Sequence, residues 1–318
     1  MSARYKVLRI DQVHPVLDEM LQKQNIHVTE NLEGDYNEIL RLIPGFDGLI
    51  LRSRIPVDKK LIEAGKRMKF IARVGSGTEG IDKEYAEKKG IRVINAPEGN
   101  RNAVGEMAVG LLIDLMRNIT KSHMEIKTGK WLRNANRGYE LEGKTLSIIG
   151  YGNTGKAFAR KLAGFDMNVL FYDIKPGLED QFAKEAGMDE IFRETDILSL
   201  HVPLTEKTKY LINRDYINRF HKPILLINTS RGEIVKTSDL IKGLEDGKIK
   251  GAGLDVIEFE NPSFGDMHMT DNMPEELKFL LNHPHVILTP HIAGITYESA
   301  QKLAEVTAKK IFKIFETT

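Results

Sequence analysis

Short apolar runs alternate with stretches of helical spacing along nearly the whole chain. Tyr5–Ile10, Ile26–Thr29, Gly48–Leu51, Phe70–Arg73 and Ile91–Asn95 predict strands, with helices between them at Pro15–Gln24, Tyr36–Leu42, Asp58–Ala64 and Asp82–Lys89. Strands separated by helix-length segments pair in parallel through right-handed crossovers, which makes a doubly wound α/β sheet. Ala96-Pro97-Glu98-Gly99-Asn100 reads as a break of turn-forming residues. Beyond it, Val104, Met107, Ala108, Leu111, Leu112, Leu115 and Met116 predict a long helix over Asn102–Thr120, capped by Asn102. Its apolar residues spread beyond one narrow stripe, so it is expected to be covered on several sides. A second strand series follows at Thr145–Gly150, Asn168–Tyr172, Ile197–His201, Pro223–Asn228, Gly251–Val256 and His285–Leu288. The last helix, Tyr297–Phe315, is amphipathic, and the irregular Asn261–Asn272 stretch predicts a surface loop.

With 318 residues, the chain exceeds the roughly 250–300 residues one hydrophobic core supports, so two domains are expected. Residues that are 41% hydrophobic and 29% charged suit a globular protein rather than a disordered one. Lysine and arginine total 46 against 45 acids, a balance that argues against a nucleic-acid or membrane-surface binder. The absence of cysteine excludes disulfides, thiolate metal sites and cysteine nucleophiles. No metal is expected. The first residues lack the apolar core of a signal peptide and no run suits a membrane span, so a cytoplasmic enzyme is expected.

The strand Leu146–Ile149 runs directly into Gly150-Tyr151-Gly152-Asn153-Thr154-Gly155, and Lys156–Leu162 continues as a helix. Such a motif is weak alone but has here the strand before and helix after that a dinucleotide site requires. Gly150 permits the tight turn, Gly152 lets backbone approach a pyrophosphate, and Gly155 allows close helix–strand packing. The next strand ends at Asp173, an acid placed to bind an adenosine ribose and to repel a 2′-phosphate. NAD rather than NADP is therefore expected.

Hydride transfer on a 2-hydroxy or 2-oxo acid needs a cation for the substrate, an acid/base for the hydroxyl proton and a carboxylate to orient that acid/base. Arg231, His291 and Glu260 each follow a strand of the second series, at the edge where open α/β sheets bind ligands. Taken in order, several motifs resemble the D-isomer-specific 2-hydroxyacid dehydrogenases over almost the whole length. They are Arg73–Gly77, Asn95-Ala96-Pro97, Gly129-Lys130-Trp131, the glycine motif, His201–Leu204, Asn228–Gly232, Leu254-Asp255-Val256 and Thr289-Pro290-His291.

That resemblance implies a Rossmann-type nucleotide domain, residues 101–292, inserted into a flavodoxin-like substrate domain of residues 1–100 and 293–318. It implies a homodimer built through the 102–120 helix region. It makes Arg231 the polarising cation, Glu260 the histidine's partner and His291 the acid/base. Asn153, Thr154, Val202, Pro203, Thr229, Ser230, Ala293 and Gly294 would line the cofactor, and Asp255 would meet the nicotinamide amide. Backbone at Ser76 and Gly77 would receive the substrate carboxylate. The phosphoglycerate-oxidising branch fits most closely, with 3-phosphoglycerate oxidised to 3-phosphohydroxypyruvate in serine biosynthesis. Arg52, Arg54 and Arg73 would then converge on the phosphate, guanidinium forks being suited to that anion. The last helix ends the chain, so a short form without a regulatory domain is expected.

Glyoxylate or hydroxypyruvate reduction is the enzymatic alternative, and an NAD(H)-sensing corepressor-like protein is the alternative of another class. Three departures stand out: Asn153-Thr154 where many relatives have Arg-Ile, Thr78-Glu79-Gly80 in place of a run ending in Asp-Asn, and Asn261 between Glu260 and Pro262. Tyr85-x-x-x-Lys89 mimics a short-chain dehydrogenase pair but precedes the nucleotide motif, and His283-x-His285 reads as a solvated turn.

Overall fold

The computed structural model describes residues 5–260 and 273–316. The expected loop at Asn261–Asn272 lies outside them. The chain forms two compact units, one of Met1–Arg101 with Ile295–Thr318 and one of Asn102–Gly294.

The first unit begins with β1 (Tyr5–Arg9), α1 (Val16–Lys23), β2 (Ile26–Glu30), α2 (Tyr36–Leu42) and β3 (Gly48–Leu51). It continues through α3 (Lys59–Ala64), β4 (Phe70–Arg73), α4 (Lys83–Lys88) and β5 (Arg92–Ile94). All strands are parallel, in the order β2-β1-β3-β4-β5. That is the flavodoxin-like order, with its switch point between β1 and β3. Period-2 alternation sends Val7, Ile50 and Phe70 to one face and Leu8, Leu49 and Ile71 to the other. Both faces are buried, which is why these strands read as continuous apolar runs. Asp35, Asp58 and Asp82 cap α2, α3 and α4 through their side chains, each satisfying an amide of the first turn.

Helix α5 (Pro97–Arg117) crosses the boundary between the units, and α6 (Ile119–Lys127) follows. The second unit then runs β6 (Thr145–Ile149), α7 (Asn153–Lys161), β7 (Asn168–Tyr172), β8 (Lys184–Glu185), α8 (Met188–Glu194) and β9 (Ile197–Leu200). Next come α9 (Arg214–Asn218), β10 (Ile224–Asn228), α10 (Thr237–Glu245), β11 (Ile249–Leu254), α11 (Glu275–Asn282) and β12 (Val286–Leu288). The sheet order is β12-β11-β10-β9-β6-β7-β8, all parallel. Its centre is the Rossmann arrangement, with the switch point between β6 and β9. The chain returns to the first unit as α12 (Tyr297–Glu316), which lays Leu303, Ala304, Ala308 and Ile311 in the same cluster as Leu17 and Leu21 of α1.

Two expectations need correction. The run Ala96–Asn100 is no break: α5 starts at Pro97, and Asn102 lies inside it, its side chain donating to Glu106 at 2.7 Å. Proline's fixed φ suits a first helical position. The early turn is held by long-range contacts that local residue types do not display. Lys310 of α12 donates to both Glu98 oxygens and to the Asn95 carbonyl. Gly99 lies against the Leu303 backbone, where a Cβ would come within 2.7 Å. The far end is also displaced. Asn118 adopts φ +53°, which stops α5 at Arg117 and starts the unforeseen α6.

Candidate functional site

The C-terminal edge of the second unit's sheet collects the groups of interest. At the β6–α7 turn, Gly150 has φ +94°, and a Cβ there would come within 2.6 Å of the His201 carbonyl. Gly155 packs so tightly that a Cβ would stand 2.2 Å from the Gly150 carbonyl, whereas one on Gly152 would meet nothing within 4 Å. Two glycines are thus required for packing, and the third leaves open space over the backbone. Helix α7 has no side-chain cap, so the amides of its first turn face outward without one. Helix N-termini of this kind attract phosphate.

Asp173, just past β7, accepts from the Tyr151 amide at 2.7 Å and from the Lys175 amide at 2.9 Å. It therefore fastens the glycine turn to the neighbouring strand. Val202 and Pro203 follow β9, and Thr229 and Ser230 follow β10. The Thr229 hydroxyl is buried and has no partner among the described residues, an orphan that a ligand could satisfy. The glycine geometry, the uncapped turn and this orphan fit a dinucleotide.

Beside them, Asn228 organises the arginine loop, its side chain donating to the Arg231 carbonyl at 2.9 Å and accepting from the Ser230 amide at 3.0 Å. Gly232 brings that loop against the next one, since a Cβ would overlap the Ile257 carbonyl at 1.9 Å. From the second loop Glu260 accepts from the Ile257 amide at 2.6 Å through one oxygen. Its other oxygen meets His291 Nδ1 at 2.6 Å. Strands β10, β11 and β12 are neighbours, so Arg231, Glu260 and His291 stand at adjacent strand ends.

Asp255 is the hub of this region. Its carboxylate accepts from the Thr289 hydroxyl at 2.6 Å and from the amides of Ile292 and Ala293 at 2.9 and 2.8 Å. Its carbonyl accepts from the His291 amide at 2.8 Å. These bonds hold His291 at φ +55°, a conformation a β-carbon disfavours. Burial raises the Asp255 carboxyl above its ordinary value, against the lowering by its donors. The group expected to meet a nicotinamide amide thus also builds the histidine turn. Gly294 ends the unit just beyond.

In the first unit, the Gly75–Gly77 turn is pinned by Asn95 Nδ2 on the Ser76 carbonyl, by the Ala96 amide on the Gly75 carbonyl and by the Ser76 hydroxyl on Asn100. The three arginines are placed differently from one another. Arg54 donates to the carbonyls of Ile10, Asn31 and Gly34 and lies 3.5 Å from Asp11. Arg73 donates to the Arg52 carbonyl at 2.9 Å and to the Gly77 carbonyl at 2.7 Å. The Arg52 side chain is exposed.

Sequence reasoning missed two residues at the second unit's edge, Thr289 and His201. His201 is buried, with Nε2 2.9 Å from Ser199 Oγ and Nδ1 3.2 Å from Thr154 Oγ1. The signal is present in His201-Val202-Pro203-Leu204, of which only Val202 and Pro203 are assigned to the cofactor above. The Tyr85 hydroxyl bonds Glu63, a surface contact, and His283 lies over Phe279. Among the described residues no group of acids and histidines could hold a metal. No helix among them is long and apolar enough to cross a membrane.

Residues 109–293 match the family model described as D-isomer specific 2-hydroxyacid dehydrogenase, NAD binding domain. The chain is 38% identical to a hydroxypyruvate reductase of Thermotoga maritima over 98% of both chains. It is 33% identical to a D-3-phosphoglycerate dehydrogenase of Methanocaldococcus jannaschii over 97% of its own length, but spans only 57% of that relative. The NAD-complexed D-isomer specific 2-hydroxyacid dehydrogenase of Lactobacillus delbrueckii ssp. bulgaricus superposes with a TM-score of 0.83 at 28% identity, covering 98% of this chain and 97% of that one. The chain belongs to the D-isomer-specific 2-hydroxyacid dehydrogenase family, and its second unit carries that family's NAD-binding domain.

Proposed function

We propose that this chain reduces hydroxypyruvate, or a comparably small unphosphorylated 2-oxo acid, to the D-2-hydroxy acid with NADH. The observation that carries the chemistry is the His291–Glu260 contact of 2.6 Å at a strand end next to the Arg231 loop. When bound, the nicotinamide supplies or accepts the hydride. His291 gives its ring proton to the carbonyl oxygen in reduction and takes the hydroxyl proton in oxidation. Glu260 holds Nδ1, and Nε2 is the nitrogen assigned to the substrate oxygen. Arg231 polarises the carbonyl and draws the carboxylate. The first unit is assigned to the substrate, with the Ser76 and Gly77 amides receiving its carboxylate, and the second to the cofactor.

The preference for an unphosphorylated acid draws support from Arg54 and Arg73. Both commit guanidinium donors to main-chain carbonyls, which leaves fewer for a phosphate. It also draws support from the hydroxypyruvate reductase that matches over 98% of both chains. A second reading, oxidation of 3-phosphoglycerate, keeps support from the exposed Arg52 and from the phosphoglycerate dehydrogenase relative. A homodimer is assigned to the region of α5 and α6, where Ile119, Met124, Ile126 and Trp131 are exposed. A panel of hydroxypyruvate, glyoxylate and 3-phosphohydroxypyruvate with NADH tests the substrate. The highest kcat/KM for hydroxypyruvate supports the first reading, and one at least about tenfold higher for the phosphorylated acid transfers the assignment to the second.

A further inference from the structure

The buried end of β9 carries a chain of three polar side chains that the hydride transfer itself does not use. Ser199 is fully buried, and among the described residues its hydroxyl has one partner, His201 Nε2 at 2.9 Å. His201 is buried too, beside Phe158, and its Nδ1 lies 3.2 Å from the Thr154 hydroxyl. Thr154 is half-buried in the first turn of α7, directly after Gly152 and Asn153. The three residues therefore form a line from the core of the second unit to the amide-rich turn where the dinucleotide is assigned.

A neutral imidazole carries one N–H, so the line can be ordered in two ways. In the first, the Ser199 O–H donates to Nε2, and Nδ1–H donates to Thr154 Oγ1. In the second, Nε2–H donates to Ser199, and the Thr154 O–H turns inward to Nδ1. The second order leaves the Ser199 hydrogen buried with no acceptor, which a fully buried hydroxyl rarely tolerates. The first leaves only the Thr154 hydrogen without an acceptor among these groups, and Thr154 is half-buried rather than buried. Burial also drives the His201 ring down to about 3, so the imidazole stays uncharged near neutrality.

We propose that Ser199 and His201 are positioning residues that set the Thr154 hydroxyl as an outward-facing donor to the cofactor's pyrophosphate. The relay moves no proton in turnover. It fixes the direction of one hydrogen bond, through a histidine tautomer chosen by a buried serine. This rests on the reading that the glycine turn holds the dinucleotide.

The test reads binding and tautomer rather than turnover. The dissociation constants of NADH, and of ADP-ribose as a ligand with the pyrophosphate but no nicotinamide, are measured on the full chain by titration. Thr154→Val should weaken both ligands by about tenfold, the loss of one hydrogen bond to a charged group, while Thr154→Ser should restore wild-type affinity. Ser199→Ala, which cannot touch a ligand, should weaken both in the same direction by a smaller factor. Nitrogen-15 NMR of histidine-labelled protein should show His201 protonated on Nδ1. An Nε2–H tautomer, or unchanged affinities in Thr154→Val while wild type binds ADP-ribose, overturns the relay alone. Failure of wild type to bind ADP-ribose at all overturns the dinucleotide reading with it.

Discussion

His291 is held from three directions: its ring by Glu260, its amide by the Asp255 carbonyl, and the residues after it by the Asp255 carboxylate. A side chain so fixed pays little reorientation when it donates a proton, which is what an acid/base requires. Replacing it by alanine removes the proton carrier but leaves the glycine turn intact. His291→Ala should therefore lose about 10²–10⁴ in kcat while NADH affinity stays close to wild type, measured by steady-state kinetics and titration. Asp173 makes a different kind of prediction, because its carboxylate already serves the Tyr151 and Lys175 amides. Asp173→Ala should narrow the preference for NADH over NADPH and also weaken NADH itself, since the turn loses a fastening. Equal use of both cofactors by the wild type would remove Asp173 as the discriminating group. The residue types of Arg231, Glu260 and His291 were legible because each follows a strand. The use of Arg54 was not, since a guanidinium's partners depend on which carbonyls the fold brings near.

At the scale of elements, the strands were the readable part. The inner strands of both sheets are buried on both faces and show as apolar runs, whereas the edge strand β8, Lys184-Glu185, carries no such run and is not predicted. The helices with aspartate caps were equally plain, because a cap acts within one turn. Helix α5 was misread at both ends for the opposite reason. Its start depends on Lys310 and Leu303, some two hundred residues away in sequence, and its end on a left-handed Asn118. The glycine contacts give the sharpest element-level prediction. Gly155→Ala would press a Cβ into the Gly150 carbonyl, which is backbone and cannot swing aside. Helix α7 must then move off β6, at a cost of about 1–3 kcal/mol by denaturant unfolding and with a marked loss of NADH affinity. Gly152→Ala, whose Cβ meets nothing within 4 Å among the described residues, should leave stability within about 1 kcal/mol and weaken only the ligand. Equal stability losses at both positions would contradict that division.

For the molecule as a whole, His201 couples the nucleotide unit to acid. Its ordinary value near 6.5 falls to about 3 on folding because burial disfavours the charged ring. The unfolded chain therefore takes up a proton at a pH where the folded chain does not. The stability this represents is present in full above about 6.5 and is lost as the pH falls towards 3. His201→Asn should be less stable at neutral pH yet lose less stability on acidification, read from urea midpoints across that range. Parallel curves for the two proteins would show that His201 does not titrate with unfolding.

His291 is the proposed acid/base in NADH-dependent reduction of a 2-oxo acid. The most direct test follows NADH consumption with hydroxypyruvate in wild type and His291→Ala, alongside NADH titration of both proteins. Wild type should turn over, the variant should lose at least about a hundredfold, and NADH affinity should be similar in the two. A wild type that binds NADH but reduces no 2-oxo acid, or a variant that turns over like wild type, would contradict that assignment.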